Sequence, residues 1–387
     1  MESIDPFDFD TLIDRRHTSS EKWDKYGDPE VMPQWLADMD FRSPPAVMEA
    51  LHRRVDHGVF GYTHASTELQ EVIQETLAVS YGWKIEAEWI VWLPGLVTGL
   101  NVACRAAGQD GDAVATCVPV YPPFLSAPSH FRRELVTVPM IQDSGRWIFN
   151  FDRLDKALPD RTRMFLLCNP QNPCGRVFTR QELTDLAEIC TKHDLIICSD
   201  EIHCGLVLDE GKSHVPTATL DPDIASRTIT LMAPSKTYNL PGLGFGYAII
   251  SDSKLRSRFR KSMAGIVPGV NAMAYTAALA AYKHGAPWLD ALLPYLRTNR
   301  DLVEESVARM PGLSMTHVEA TYMAWIDARP LGLEDPAAFF ERAGLGLGAG
   351  HVFGMSGFVR FSFASPLKLV QEALARMRGA AEDQSSC

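Results

Sequence analysis

The chain has 387 residues, with 48 Asp and Glu against 37 Lys and Arg and a formal net charge of -11. Hydrophobic residues at 46% and charged residues at 22% are ordinary globular values and exclude a disordered or fibrous chain. The acidic balance leaves no footprint for DNA or RNA, and no apolar run approaches the ~20 residues of a membrane span. At ~100–200 residues per domain, the length predicts two or three compact units. The start, Met-Glu-Ser-Ile-Asp-Pro, is acidic where a secretory signal would be basic and then apolar, so a soluble cytoplasmic protein is expected.

The first 45 residues, rich in Asp, Pro and aromatics, are expected to wrap onto the folded body. Ser66-Thr67-Glu-Leu-Gln70 then opens a helix by a capping pattern, and Leu93-Pro94-Gly95-Leu96-Val97-Thr98-Gly99 precedes a helical run through Ala107. Short apolar runs at 113–118, 163–168, 195–199, 228–233 and 246–250 read as strands buried on both faces. Between them, Thr179-Arg-Gln-Glu182 carries a capping box, and Leu183, Leu186, Ala187 and Cys190 fall on one helical face. This alternation predicts an α/β domain with a mainly parallel sheet. After Gly285 come an amphipathic helix over 288–310, interrupted at Pro294, strands near 322–326 and 359–363, and a last helix around 369–378. The reading divides the chain into an N-terminal segment 1–45, a large domain 46–285 and a smaller α+β domain 286–387.

Eight cysteines, Cys104, Cys117, Cys168, Cys174, Cys190, Cys198, Cys204 and Cys387, form no C-x-x-C pair and read as small buried hydrophobes. Cys198, His203 and Cys204 lack a fourth ligand at a zinc-like spacing, so no metal is expected. The glycine runs at 242–246 and 344–350 do not open a βαβ unit, which argues against a dinucleotide loop.

Polar features cluster at the ends of the expected strands, where open α/β sheets place ligands. Lys236, in Ser235-Lys236-Thr237-Tyr238-Asn239, is either a surface lysine or an amine with a lowered pKa able to form a Schiff base. Asp200, in Ser199-Asp200-Glu201-Ile202-His203, is a helix cap, one half of an ion pair, or a functional carboxylate. The Gly95 segment is a tight turn or a phosphate cradle. Asn172, in Asn169-Pro170-Gln171-Asn172-Pro173, holds a turn or a ligand.

Taken together, Asn172, Asp200 and Lys236, separated by 28 and 36 residues, resemble the cofactor grip of fold-type-I pyridoxal-phosphate enzymes of the aspartate aminotransferase superfamily. Within it the chain is most similar to the cystathionine β-lyase-like C–S lyases of the MalY/PatB type. Lys22-Trp-Asp24, Trp35-Leu-Ala-Asp-Met-Asp-Phe41, Gly58-Val-Phe-Gly-Tyr62, Val120-Tyr-Pro-Pro-Phe124, Ser199-Asp-Glu-Ile-His203, Ser235-Lys-Thr-Tyr-Asn-Leu240 and Val359-Arg360 carry the likeness, which covers nearly the whole chain.

The resemblance implies roles for several residues. Lys236 would hold pyridoxal 5'-phosphate and take the substrate Cα proton, Asp200 would pair with the pyridine nitrogen, and Asn172 would bond the ring hydroxylate. Tyr121 would stack on the ring, Gly95, Leu96 and Ser235 would hold the phosphate, and Tyr62 would reach it from the second subunit of a homodimer. Arg360 would clamp the α-carboxylate, with Trp35 and Asp38 also on the substrate side. His203, where many aminotransferases carry Tyr, favours α,β-elimination of a cysteine thioether to thiol, pyruvate and ammonia. The alternatives are an aminotransferase, a decarboxylating or oxidatively deaminating enzyme, and a cofactor-binding regulator. Departures from the pattern lie at Ala233, Gly244 and Ala364-Ser365-Pro366-Leu367, where related chains carry Ser or Arg.

Overall fold

The computed structural model describes residues 7–385; the acidic start at 1–6 and Cys387, both used above, lie outside them. Seven strands form one sheet in the order Ile90–Leu93, Gly246–Ile249, Thr228–Met232, Ile196–Asp200, Thr162–Cys168, Ala113–Val118, Glu134–Pro139. The last five run parallel, and Gly246–Ile249 is antiparallel to both its neighbours. The sheet is therefore mainly parallel, as the alternation of strands and helices predicts.

The two-residue period of a strand explains why the central runs carry apolar residues on both faces. Val114 and Val118, Met164 and Leu166, and Cys198 point to one face, against Leu100, Ala103 and Cys104 of helix Leu96–Ala106. Ala115 and Cys117, Phe165 and Leu167, and Ile197 point to the other, against Leu183, Leu186 and Cys190 of helix Arg180–Lys192. That helix starts with the capping box read at Thr179 and Glu182. Helix Thr67–Tyr81 is capped more simply: the Ser66 side chain accepts from the Leu69 N–H, with no reciprocal glutamate. Two strands of this sheet escaped the sequence reading. Ile90–Leu93 is only four residues long, and Glu134–Pro139 is a half-exposed edge strand without a continuous apolar run.

A second sheet joins Ser314–Met315, Met323–Asp327, Phe358–Ser362 and Gly348–Ala349, all antiparallel. The expected break at Pro294 is absent, because helix Ala286–Val307 runs straight through it. An interior proline costs about 3 kcal/mol. Leu292, Leu296, Val303 and Val307 are fully buried, at roughly 1.5–3 kcal/mol each, and outweigh it. The final helix is longer than expected, at Leu367–Ser385.

The N-terminal segment bridges the two sheets' neighbourhoods. Met32–Pro33 pairs in parallel with Leu345–Gly346, and Asn239 binds the backbone of Met39 on both its N–H and C=O, at 3.1 Å each. No helix among the described residues is long and apolar enough to cross a membrane.

Candidate active site

The parallel strands end at one crevice. A cavity of about 330 Å³ opens there, lined by Gly95, Tyr121, Asn172, Asp200, His203 and Lys236, with Leu96 and Ser235 also on its wall. Eight of the residues singled out from sequence, contributed by five separate strand-end segments, thus share one chamber. Among its described lining residues the only cation is Lys236.

Asp200 ends strand Ile196–Asp200, and one carboxylate oxygen accepts from the Ile202 N–H at 3.1 Å. Burial pushes its pKa up to about 7, with the neighbouring Glu201 adding to the effect and Ile202 and Lys236 opposing it. A carboxylate so placed lacks a cationic partner and favours any cation that enters the cavity. His203 is driven the other way, down to about 3, by burial and then by the charges of Lys236 and Arg360. Its imidazole is neutral, its Nδ1 has no partner, and its ring stands edge-on to Tyr322 at 5.9 Å.

Lys236 leaves the end of Thr228–Met232 through Ala233 and Pro234. Its Nζ donates to the Ala37 carbonyl at 2.5 Å, and the Tyr322 hydroxyl donates to the same oxygen at 3.0 Å. Burial, reinforced by Arg360, lowers the amine from 10.5 to about 8 against the pull of Asp38 and Asp200. Of the two readings left open above, the structure selects the amine of lowered pKa.

Gly95 is the N-cap of helix Leu96–Ala106, so the free N–H groups of its first turn lie at the cavity wall beside the Thr98 and Ser235 hydroxyls. A Cβ added at Gly95 would meet no protein atom within 4 Å, so the space beside it is open to a ligand. Opposite, Gly244 sits at φ 63° with its ideal Cβ position 3.1 Å from the Pro94 carbonyl. That left-handed backbone favours glycine over any residue with a side chain at this position.

The remaining candidates stand outside this chamber. Arg360, on Phe358–Ser362, is buried behind Asn172. Its Nη1 donates to Asn172 Oδ1 at 3.0 Å, its Nη2 to the Trp35 carbonyl at 2.7 Å, and its plane lies over Phe353. Burial lowers its pKa to about 10. Trp35 brings only that carbonyl. Its ring lines neither chamber but meets the Lys25 ammonium at 4.2 Å, and its N–H donates to the Lys22 carbonyl. Asp38 faces a second chamber of about 680 Å³, which shares Ala37, Tyr121, Lys236 and Pro241 with the first. It accepts from Arg15 at 2.6 Å. Tyr62 is fully exposed on a loop with Val59 and Phe60 and touches neither chamber.

Several wall residues gave no sequence signal. The Ala37 carbonyl acts through backbone, which any residue supplies, while Thr98, Ile202 and Phe245 lie within segments quoted above but were not themselves singled out. Among the described residues no group of three His, Cys, Asp or Glu side chains is placed to hold a metal.

The family model described as aminotransferase class I and II matches residues 36–377. The chain belongs to that family. It is 36% identical over 384 residues to cystathionine beta-lyase PatB of Bacillus subtilis, covering 96% of this chain and 99% of that one. Protein MalY of Escherichia coli is 31% identical, with 95% and 97% covered. Among solved structures of the family, OvoB superposes with a TM-score of 0.95 at 47% identity, covering 97% and 99% of the two chains. Cystalysin from Treponema denticola, which contains pyridoxal 5'-phosphate, gives 0.92 at 32% identity, with 97% and 99% covered. The PLP-bound C–S lyase of Staphylococcus hominis gives 0.91 at 30%, with 97% and 98% covered. The fold is accordingly the α/β architecture of the pyridoxal-phosphate enzymes of fold type I.

Proposed function

We propose that the protein is a pyridoxal-phosphate-dependent C–S β-lyase that cleaves a cysteine thioether, with water, to a thiol, pyruvate and ammonia. The observation that carries this is the pairing, across one cavity, of a buried carboxylate lacking a cation with an amine lowered to about 8. Both fit pyridoxal 5'-phosphate, whose ring nitrogen is the missing cation and whose aldehyde condenses with an amine. Asp200 would hold the ring nitrogen, Asn172 the ring oxygen, Tyr121 the ring face, and Lys236 the aldehyde carbon. The phosphate would lie on the Gly95–Leu96 N–H groups and the Thr98 and Ser235 hydroxyls. When bound, the cofactor supplies an electron sink for the pair left at Cα.

The chain's own residues do the rest. Lys236, half neutral near pH 8, takes the Cα proton onto Nζ. The freed electron pair forms the Cα–Cβ double bond, and the Cβ–S bond breaks with its pair on sulfur. Ala37 and Tyr322 fix where the amine waits, through hydrogen bonds at 2.5 and 3.0 Å that converge on one carbonyl. Arg360 orients the substrate carboxylate beside Asn172, its Nε still unpartnered. The neutral His203 adds no second positive charge beside Lys236, which would lower the amine further. The larger neighbouring chamber, with Arg15, Glu21, Asp38 and Arg42 on its wall, accepts the sulfur-borne group.

Two copies would complete each site, with the exposed Val59, Phe60 and Tyr62 loop of one chain reaching the phosphate end of the other. In this reading residues 46–285 carry the cofactor, and 1–45 with 286–387 close over the substrate, in a soluble cytoplasmic enzyme.

Incubation with L-cystathionine and S-alkyl-cysteines should yield equal amounts of pyruvate and free thiol. Borohydride reduction of the holoenzyme should fix the cofactor on Lys236. Keto-acid-dependent amino transfer without thiol release would replace the lyase reading by the aminotransferase one.

A further inference from the structure

Strand Ile196–Asp200 is followed at once by a second carboxylate, Glu201, which is fully buried yet lines neither chamber. Glu201 Oε1 accepts from the Ser199 hydroxyl at 2.8 Å and from the Thr217 N–H at 2.9 Å. Its Oε2 meets His214 Nε2 at 2.8 Å. The imidazole is equally enclosed, with its ring edge-on to Tyr81 at 5.4 Å, and its Nδ1 has no partner. A protonated His214 would strand a buried N–H at that nitrogen, a cost of about 1–3 kcal/mol. The tautomer that donates from Nε2 satisfies Glu201 and leaves no buried N–H unpartnered on the ring. Glu201 thus meets the Ser199 hydroxyl, the Thr217 N–H and His214 Nε2, and among the described residues no Lys or Arg pairs with it. Its charge also raises Asp200, Tyr81 and Cys204, none of which is a cation.

A buried charge kept by three dedicated donors at the residue next to Asp200 acts at short range in a poorly screened interior. With the cavity empty, two adjacent carboxylates oppose each other. A cation at Asp200 relieves both. We infer that Glu201, fixed by Ser199, Thr217 and His214, is a positioning residue: a second anion behind Asp200 that strengthens the hold on a protonated pyridine nitrogen. The inference rests on the cofactor reading above and adds to it a residue outside the cavity.

The test compares equilibrium binding of two rings to cofactor-free protein: pyridoxal 5'-phosphate, and its 1-deaza analogue, in which carbon replaces the ring nitrogen and no proton can be held. Glu201→Gln preserves the side-chain shape and removes the charge. It should weaken pyridoxal phosphate roughly tenfold, the equivalent of one pKa unit, and leave the analogue unchanged. His214→Gln keeps a donor near the Nε2 position and should leave both affinities near wild type. Ser199→Ala removes one donor and should lower the ratio of the two affinities about two- to threefold, a measurement that stands even if Glu201→Gln does not fold. An unchanged ratio in Glu201→Gln or Ser199→Ala, with both rings weakened alike, overturns the inference and leaves Glu201 a structural residue. Selective strengthening of pyridoxal phosphate binding in His214→Gln also overturns it, because His214 would then have been a cation cancelling Glu201. Wild-type protein that binds neither ring overturns the cofactor reading itself, and this inference with it.

Discussion

Replacing Lys22 by methionine removes an ammonium that is wholly enclosed and keeps most of the side chain's volume. Lys22 Nζ lies 2.7 Å from Asp40, whose oxygens also accept from the Trp23 indole, Arg15 and the Ser365 hydroxyl, each at 2.7 Å. This carboxylate ties the N-terminal segment to residue 365, and the same segment presents the Ala37 carbonyl to Lys236. Breaking a buried pair from one side costs about 3–5 kcal/mol. Three donors remain on Asp40, so Lys22→Met should fall at the low end, ~3 kcal/mol, or on the order of a hundredfold in the folded-to-unfolded ratio.

Urea unfolding of Lys22→Met, Asp40→Asn and the double variant, followed by tryptophan fluorescence, measures the pair. The double variant should cost clearly less than the two single ones summed. Burial acts to raise the Asp40 pKa, but Lys22, Trp23 and Ser365 overcome it and hold the group below its usual 3.8. The pair's contribution is therefore fully present above pH ~4 and lost as pH falls through the lower folded value, so the Lys22→Met penalty should be the same at pH 5 and pH 8. A loss under ~1 kcal/mol, or additive single variants, would refute the reasoning.

Three further outcomes follow from the site. In cofactor-free protein, acylation of Lys236 by an amine-directed reagent should rise with pH around a midpoint near 8, read by peptide mass, since burial lowers the amine to about 8; a midpoint near 10 contradicts the geometry. Gly244→Ala forces a Cβ to 3.1 Å from the Pro94 carbonyl at φ 63°, and should cost about 1–2 kcal/mol in thermal unfolding and weaken cofactor binding. Tyr62→Ala should leave the melting temperature of the cofactor-free chain within a degree or so, because the side chain is fully exposed, yet raise the cofactor's dissociation constant; unchanged binding would remove Tyr62 from the site.

Much of the architecture was legible because it rests on local rules. A strand buried on both faces must be small or apolar along most of its length, and Ala113–Val118 and Thr228–Met232 are, with only threonines (Thr116, Thr228, Thr230) between apolar residues. The capping box at Thr179 and Glu182 is written in three residues' spacing and forms as read. Asn172, Asp200, His203 and Lys236 announced themselves as polar residues at the ends of apolar runs, where a parallel sheet leaves its loops. Pro294 was misread because propensity is local, while the burial that overrides it comes from residues far away in the chain.

By itself the sequence determined which residue types stand at the strand ends, one lysine and one aspartate among them, and with them an acidic α/β chain. Only the tertiary structure decided what those groups are. The lowered amine of Lys236, the raised carboxyl of Asp200 and the neutral imidazole of His203 arise from burial and from charges brought together across hundreds of residues. Trp35 serves through its carbonyl and Ala37 through its own, because a backbone oxygen carries no residue type. The division of labour between Asp200 and Glu201, neighbours of the same chemical kind, is set by which one the fold turns toward the cavity and which toward His214.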